Sequence, residues 1–142
     1  MQINRQIEID APKDTVFAII SDFESYPDFL PEISKAVIID RRENSVDVEF
    51  EIDIIMKISY SLSIQLNKPD TITWQLLYSK TMNENSGSWT LVAADEGKTT
   101  ANYQLSVKLP GILPRSVSDK LTQINLTQTL EQFKIRCETT KA

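Results

Sequence analysis

The side chains of this chain that could perform acid–base chemistry are carboxylates, tyrosines, lysines and arginines, because the sequence contains no histidine. Histidine is the usual general base and metal ligand near neutral pH. A histidine-dependent triad or zinc site is therefore excluded, and we predict no catalytic residues and no metal. We predict no cofactor either, because the only glycines, Gly87, Gly97 and Gly111, form no phosphate-binding loop.

An acidic row and a lone cysteine are the next candidates for chemistry. The row comprises four carboxylates at alternate positions between Asp47 and Asp53. Carboxylates two residues apart on a strand lie about 7 Å from each other, too far for a compact metal site. We interpret the row as a solvated outer face. Cys137 has no histidine to activate it, and we interpret it as a small buried hydrophobe.

Three polar side chains are candidates for contacting a ligand. Arg5 has the same strand parity as Ile7, so its guanidinium either binds a polar head group or extends to the sheet edge. Gln128 and Glu131 fall on one helical face with Leu121. They either contact a ligand carbonyl or hydroxyl, or emerge into water with the end of the helix.

The elements that position these residues begin with a strand over residues 2–10, in which apolar and polar residues alternate. Two short helices follow, and Pro27 and Pro31 limit the second to a single turn. Residues 46–54 give the clearest strand, with one apolar and one acidic face. We predict the other strands at 36–41, 56–66, 72–78, 89–93 and 101–109, with a loop at 83–87.

A long C-terminal helix is predicted from Arg115 to about Thr139, because this segment contains no glycine or proline. Its apolar residues fall on two faces. One face carries Leu113, Val117, Leu121, Ile124 and Ile135, and the other carries Leu126, Leu130, Phe133 and Cys137. Seven strands with one apolar face each must curl around a covering element. We therefore predict an α+β fold: a curved seven-stranded antiparallel sheet wrapped around this helix, with the two short helices between the first and second strands.

Composition and charge define the broad class. The chain has 142 residues, 41% of them hydrophobic, so we expect residues 1–142 to form one domain. A net charge of −5 argues against direct contact with nucleic acid. The N-terminus does not have the pattern of a signal peptide, and no apolar run approaches the roughly 18 residues of a membrane span. With one cysteine, the sequence favours a cytoplasmic location.

The order of elements and the segment from Ile9 to Ser34, IDAPKDTVFAIISDFESYPDFLPEIS, resemble the START-like (SRPBCC) superfamily, in particular its coenzyme Q-binding and polyketide cyclase/dehydrase branch. The most specific part is SDFESYPDFLP. Gly87-Ser88-Trp89 and the terminal stretch from Leu130 to Arg136 support it. The resemblance spans essentially the whole chain and implies a helix-grip fold that holds a ligand in an apolar cavity between the sheet and the long helix.

By this resemblance the cavity would be lined by apolar residues on the inward parity of the strands and by two residues of the helix, namely Phe50, Ile52, Met56, Tyr60, Leu62, Trp74, Leu76, Trp89, Tyr103, Leu105, Leu121 and Ile124. A solidly packed interior is the alternative. Similar folds also have two apolar loops at the cavity mouth. Here these contain Ile54 and Ile55, and Ile112 and Leu113. They either form a gate that meets a membrane surface or a protein partner, or pack on each other.

Three functions are compatible with this resemblance. The first is binding or transport of a hydrophobic small molecule, such as a quinone, an isoprenoid or a lipid. The alternatives are an enzyme of the polyketide cyclase/dehydratase kind and a protein-interaction module of the ribosome-association type. A large cavity without ionisable lining favours the carrier, convergent polar groups favour the enzyme, and a filled interior favours the interaction module.

Overall fold

An antiparallel sheet of seven strands accounts for most of the structure. The computed structural model describes residues 2–53, 57–108 and 129–140. In chain order the elements are β1 (Gln2–Ile9), α1 (Lys13–Ile20), a 3-10 turn (Phe23–Ser25), α2 (Tyr26–Phe29), β2 (Ile33–Arg41), β3 (Ser45–Asp53), β4 (Lys57–Asn67), β5 (Thr71–Ser79), β6 (Glu84–Ala93), β7 (Thr99–Lys108) and α3 (Thr129–Thr140).

The strand order across the sheet is β1-β7-β6-β5-β4-β3-β2. Strands β2 to β7 therefore neighbour each other in sequence order, and β1 pairs with β7. This arrangement confirms the predicted α+β helix-grip architecture. The register brings the ends of β3, β5 and β7 and the starts of β4 and β6 to one end of the sheet, where Asp53 faces Lys57 and Glu84 faces Lys108. We call this the Lys108 end.

One face of the sheet carries the core. In β3, Val46, Val48, Phe50 and Ile52 are buried, as the alternation predicts. The helices cover this face: α3 contacts α1 and β1, α1 also contacts β6, and α2 contacts β2. The Oγ1 of the fully buried Thr99 donates to the carbonyl oxygen of Ala11 at 2.7 Å, which joins the start of β7 to the turn before α1.

The predicted loop at residues 83–87 is wrong, because β6 already begins at Glu84. Strand β6 pairs with β7 along its whole length. Asn85 is buried on its inner face, and Gly87 pairs with Trp74 of β5. A Cβ at Gly87 would overlap the Trp74 indole and the carbonyl oxygen of Gln104. Polar residues and glycine suggested a loop, whereas here glycine marks a close approach within a sheet.

Of the two apolar faces predicted for the long helix, α3 buries the one that carries Leu130, Phe133 and Cys137, while Ile135, from the other face, is 45% exposed. The buried residues follow the i, i+3, i+7 spacing of a continuous helical stripe. Within α3, no apolar residue lies three or four positions from Ile135, so Ile135 is not part of an apolar stripe. The predicted helical residues before Thr129 lie outside the described part of the structure.

Candidate functional site

A cavity of about 530 Å³ lies between the inner face of the sheet and the helices. Its described lining is mostly apolar and aromatic and consists of Ile20, Phe23, Tyr26, Leu30, Ile33, Phe50, Ile52, Tyr60, Leu62, Ile64, Ile72, Trp74, Met82, Asn83, Asn85, Trp89, Tyr103, Leu105, Val107, Lys108, Thr129 and Phe133. A volume of this size falls within the range of small-molecule sites, roughly 300 to 1,000 Å³.

Aromatic rings form the wall where the helices meet the sheet. Phe133 of α3 makes edge contacts with Tyr26 at 5.2 Å and with Trp89 at 5.4 Å between ring centroids. Phe50 stacks on Tyr60 at 5.6 Å. Such ring pairs hold each other in place and present flat apolar surfaces.

Many of the residues predicted from parity lie at this cavity, namely Phe50, Ile52, Tyr60, Leu62, Trp74, Trp89, Tyr103 and Leu105. Leu76 does not: it is half-buried and packs against the core. Beyond Gln75, β5 loses its pairing with β6, and its register with β4 shifts beside Leu62, so the alternation fails there. Met56, Leu121 and Ile124 lie outside the described residues. Whether the lining residues bind a ligand stays a prediction.

The predicted polar contacts and gate have different outcomes. Arg5 is exposed and is not part of the described lining; its Nη1 donates to the carbonyl oxygen of Asn4 at 3.1 Å. Of the two alternatives for Arg5, this position agrees with extension to the sheet edge, because β1 is an edge strand. Gln128 and the gate residues Ile54, Ile55, Ile112 and Leu113 lie outside the described part of the chain.

Sequence reasoning missed two groups of lining residues. The first comes from the short helices and α3, including Phe23, Tyr26 and Phe133. The second is a polar set at the Lys108 end: Asn83, Asn85 and Lys108. The glycine at position 87, within an otherwise alternating stretch, was the signal for continuing β6 and for placing Asn85 on its inner face.

Three side chains of the described cavity lining donate hydrogen bonds to other residues of the chain. The Tyr26 hydroxyl donates to the carbonyl oxygen of Ile20. The Trp74 Nε1–H donates to Asn85 Oδ1 at 3.1 Å. The Thr129 hydroxyl donates to Glu32 Oε1 at 2.9 Å, next to the cavity.

Burial controls the ionisation of the cavity tyrosines. It raises the pKa of Tyr26, Tyr60 and Tyr103 above the ordinary value of 10.0, with smaller contributions from nearby acidic groups. The phenols are therefore neutral at physiological pH. Among the described lining residues, no carboxylate is present, and Lys108 is the one basic side chain. This part of the lining offers hydrogen bonds rather than an acid–base pair tuned to neutral pH.

The acidic row and Cys137 are not part of the described cavity lining. Asp47 accepts from Arg42 at 2.7 Å, and Glu49 forms an ion pair with Lys35 at 3.3 Å. Cys137 is fully buried, and burial together with Glu138 raises the pKa of its thiol to about 12. Within residues 2–53, 57–108 and 129–140, no three potential metal ligands cluster. No helix in these ranges is long and apolar enough to span a membrane.

An antiparallel sheet that encloses an apolar cavity with a C-terminal helix defines the START-like class. The chain belongs to the polyketide cyclase/dehydrase and lipid transport family, whose sequence model matches residues 9–130. No curated protein matches its sequence.

Solved structures share this fold at low sequence identity. A START superfamily protein from Mycobacterium smegmatis is 20% identical, with a TM-score of 0.82 and 97% of both chains covered. An aromatase/cyclase from a Streptomyces species is 16% identical, with a TM-score of 0.84, covering 97% of this chain and 93% of that one. A STAR-related lipid transfer protein from Xanthomonas axonopodis is 13% identical, with a TM-score of 0.80, covering 96% and 85%. The class therefore includes both enzymes and lipid transfer proteins.

Proposed function

We propose that residues 1–142 act as one domain that binds and carries a hydrophobic small molecule, such as a quinone, an isoprenoid or a lipid, in the internal cavity. The observation that carries this proposal is a cavity of about 530 Å³ whose described lining is mostly apolar and aromatic and contains no carboxylate. Burial of apolar surface provides the binding free energy, at roughly 25 cal/mol per Å². The gate residues Ile54, Ile55, Ile112 and Leu113 would admit the ligand, and we propose that the protein works in the cytoplasm.

An enzyme of the aromatase/cyclase kind is the second candidate. The Streptomyces relative carries that name, and the buried phenols of Tyr60 and Tyr103 could orient a reactive chain. Proton transfer at neutral pH favours a group with a pKa near 7. The raised pKa values of these phenols therefore favour the carrier over the enzyme.

Native mass spectrometry of protein purified from its own host tests the proposal. We expect a stoichiometric mass increment that organic extraction releases as an apolar molecule. The Leu62→Trp variant, which places a larger ring in the cavity, should lose the increment. Val92→Trp should keep it, because Val92 is half exposed and its strand parity is opposite to that of the inner-face residues Trp89 and Leu91. A bare wild-type protein that also fails to take up an apolar fluorescent probe would contradict the carrier function.

A further inference from the structure

The orientation of one buried amide in the cavity is fixed by its neighbour. An indole N–H can only donate a hydrogen bond, so the Asn85 atom 3.1 Å from Trp74 Nε1 must be the carbonyl oxygen. The other end of the amide, Nδ2, can only donate. Because Oδ1 of Asn85 faces Trp74, the Nδ2 donor of the same amide points away from the indole.

The indole itself is closely confined. It lies against Gly87, where even a Cβ would overlap it. Its centroid is 5.9 Å from that of the Tyr103 ring, and Tyr103 in turn packs on Trp89 at 4.8 Å. Trp74 therefore acts on Asn85 from a fixed position. The donor direction is set before any ligand arrives, which reduces the entropy lost on binding.

Three polar atoms in this region reach the cavity without a partner among the described residues. They are Asn85 Nδ2 and the hydroxyl oxygens of Tyr60 and Tyr103, on residues only 6%, 9% and 7% exposed. Among the described residues none of the three has a hydrogen-bond partner, and no polar side-chain atom there is both fully enclosed and unpaired. Since all three residues line the cavity, these atoms border its open volume.

A ligand that fills the cavity buries these donors. A pure hydrocarbon would leave them unpaired, and an unpaired buried donor carries an unfavourable desolvation free energy. A carbonyl oxygen accepts from them and removes this penalty. An anion is disfavoured, because Glu32 lies close enough to Tyr60 to raise its pKa, and the cationic group in the described lining, Lys108, is exposed at the strand end.

We infer that Asn85, positioned by Trp74, forms with the hydroxyls of Tyr60 and Tyr103 a hydrogen-bonding subsite that selects uncharged ring compounds bearing carbonyl oxygens over hydrocarbons of the same shape. The flat faces of Trp74, Trp89 and Tyr103 suit a ring rather than a flexible chain. This inference rests on the proposed function, because it specifies the ligand of the same cavity.

Two tricyclic probes of matched shape test the selection. 9,10-Anthraquinone carries two carbonyl oxygens and anthracene carries none. We expect the wild-type protein to bind anthraquinone about tenfold more tightly than anthracene in a fluorescence titration, corresponding to one or two net hydrogen bonds. Anthraquinone-2-carboxylate, the anionic arm, should bind more weakly than anthraquinone.

The decisive variant is Asn85→Asp. At about pH 9 its carboxyl group is ionised and can still accept from Trp74 Nε1, but the atom facing the cavity changes from a donor to an acceptor. The preference for anthraquinone should fall to about onefold or below. Gln104→Glu makes the same chemical change at an exposed position on β7 and should keep the full preference. Tyr103→Phe, which adds no buried charge, should reduce the preference about threefold even if Asn85→Asp does not fold.

Trp74 is a positioning residue in this scheme. Trp74→Phe keeps a ring but removes the N–H, so the Asn85 amide can rotate. The preference for anthraquinone should decrease while anthracene affinity changes little, a pattern that general loosening of the cavity would not produce. Added to Asn85→Asp, the same change should cause no further loss of preference.

The outcomes separate the two proposals. Equal wild-type affinity for both tricycles, or an unchanged preference in both Asn85→Asp and Tyr103→Phe, overturns the subsite while the carrier function stands. Tighter binding of the carboxylate than of anthraquinone overturns the choice of an uncharged ligand. Failure of all three probes to bind overturns the subsite, and the native mass spectrum of the wild-type protein then shows whether the carrier function fails as well.

Discussion

Tyr26, Tyr60 and Tyr103 border the same cavity, but they have different partners. The Tyr26 hydroxyl donates to the carbonyl oxygen of Ile20, the last residue of α1. Helix ends leave carbonyl groups without partners in the helix, and this phenol satisfies one of them inside the core. Tyr60 and Tyr103 have no such protein partner among the described residues. The Tyr26 hydroxyl therefore supports the fold, and the other two hydroxyls belong to the proposed subsite.

Removing single hydroxyls checks this assignment. Tyr26→Phe should lower the free energy of unfolding by about 1 to 3 kcal/mol, because it leaves a buried carbonyl oxygen unpaired. Tyr103→Phe should change it by less than about 0.5 kcal/mol. Urea denaturation of both variants measures the difference. Equal losses would show that the Tyr103 hydroxyl also supports the folded chain.

The sequence predicted the cavity residues on regular strands well and the others poorly. Alternation places Phe50, Leu62 and Trp89 on the inner face because a strand has a fixed period of two. It gives no information on Tyr26 or Phe133, which reach the cavity from helices. Their position depends on how the helices pack across the sheet, and this tertiary geometry is not encoded in a local period.

At the scale of elements, α3 is attached to the first strand by a small polar network. Lys134 Nζ donates to the carbonyl oxygen of Glu8 at 2.7 Å and to Glu138 Oε2 at 2.7 Å. The backbone N–H of Asp10 donates to the same Glu138 oxygen at 2.9 Å. These bonds join the helix to the end of β1 around the buried contacts of Leu130, Phe133 and Cys137.

This network predicts a pH dependence. The hydrogen bond from Lys134, followed by that from the Asp10 N–H, holds the pKa of Glu138 below its ordinary value of 4.5. A lowered folded-state pKa contributes stability above the unfolded value, and the contribution is lost as the pH falls through the folded value. Glu138→Gln should therefore be less stable than wild type at pH 7, by about 0.5 to 1 kcal/mol.

The difference in stability between the wild type and Glu138→Gln should disappear as the pH falls below about 4.5, because the wild-type carboxylate becomes protonated. Thermal unfolding between pH 7 and pH 3 measures it. Glu131→Gln, at an exposed position on the same helix, should show no such closing gap. A constant difference for Glu138→Gln across this range would contradict the role of the network.

The strand boundaries show where element prediction fails. The start of β6 was hidden because Glu84 and Asn85 are polar, although both pair with β7. The alternation of β5 ends at its irregularity, where Leu77 and Tyr78 are both more than half exposed. Such shifts depend on the partner strand, and a period within one strand cannot reveal them.

At the scale of the whole molecule, the interior is partly filled and partly open. Leu91, Ala101 and Val16 are buried but do not line the cavity. Leu62, on the neighbouring part of the sheet, borders open volume. Natural cores are close-packed, so an opening of this size needs solid packing elsewhere to support it.

Replacing one leucine at the cavity and one leucine in the packed core by phenylalanine tests this distinction between open and filled regions. Leu62→Phe should change the free energy of unfolding by less than about 1 kcal/mol, because the extra atoms enter the cavity. Leu91→Phe should destabilise by about 1 to 3 kcal/mol, because the surrounding core has no room. Denaturant midpoints of the two variants compare them directly. The same large loss in both would contradict an open cavity at Leu62.

Cys137 is fully buried on the inner side of α3, and burial together with Glu138 raises the pKa of its thiol to about 12. Almost no thiolate exists at neutral pH while the helix is docked, so the folded chain resists alkylating reagents. When α3 lifts away from α1 and β1, the same thiol recovers its ordinary reactivity. The rate at which an alkylating reagent labels the Cys137 thiol therefore reports how often α3 separates from α1 and β1.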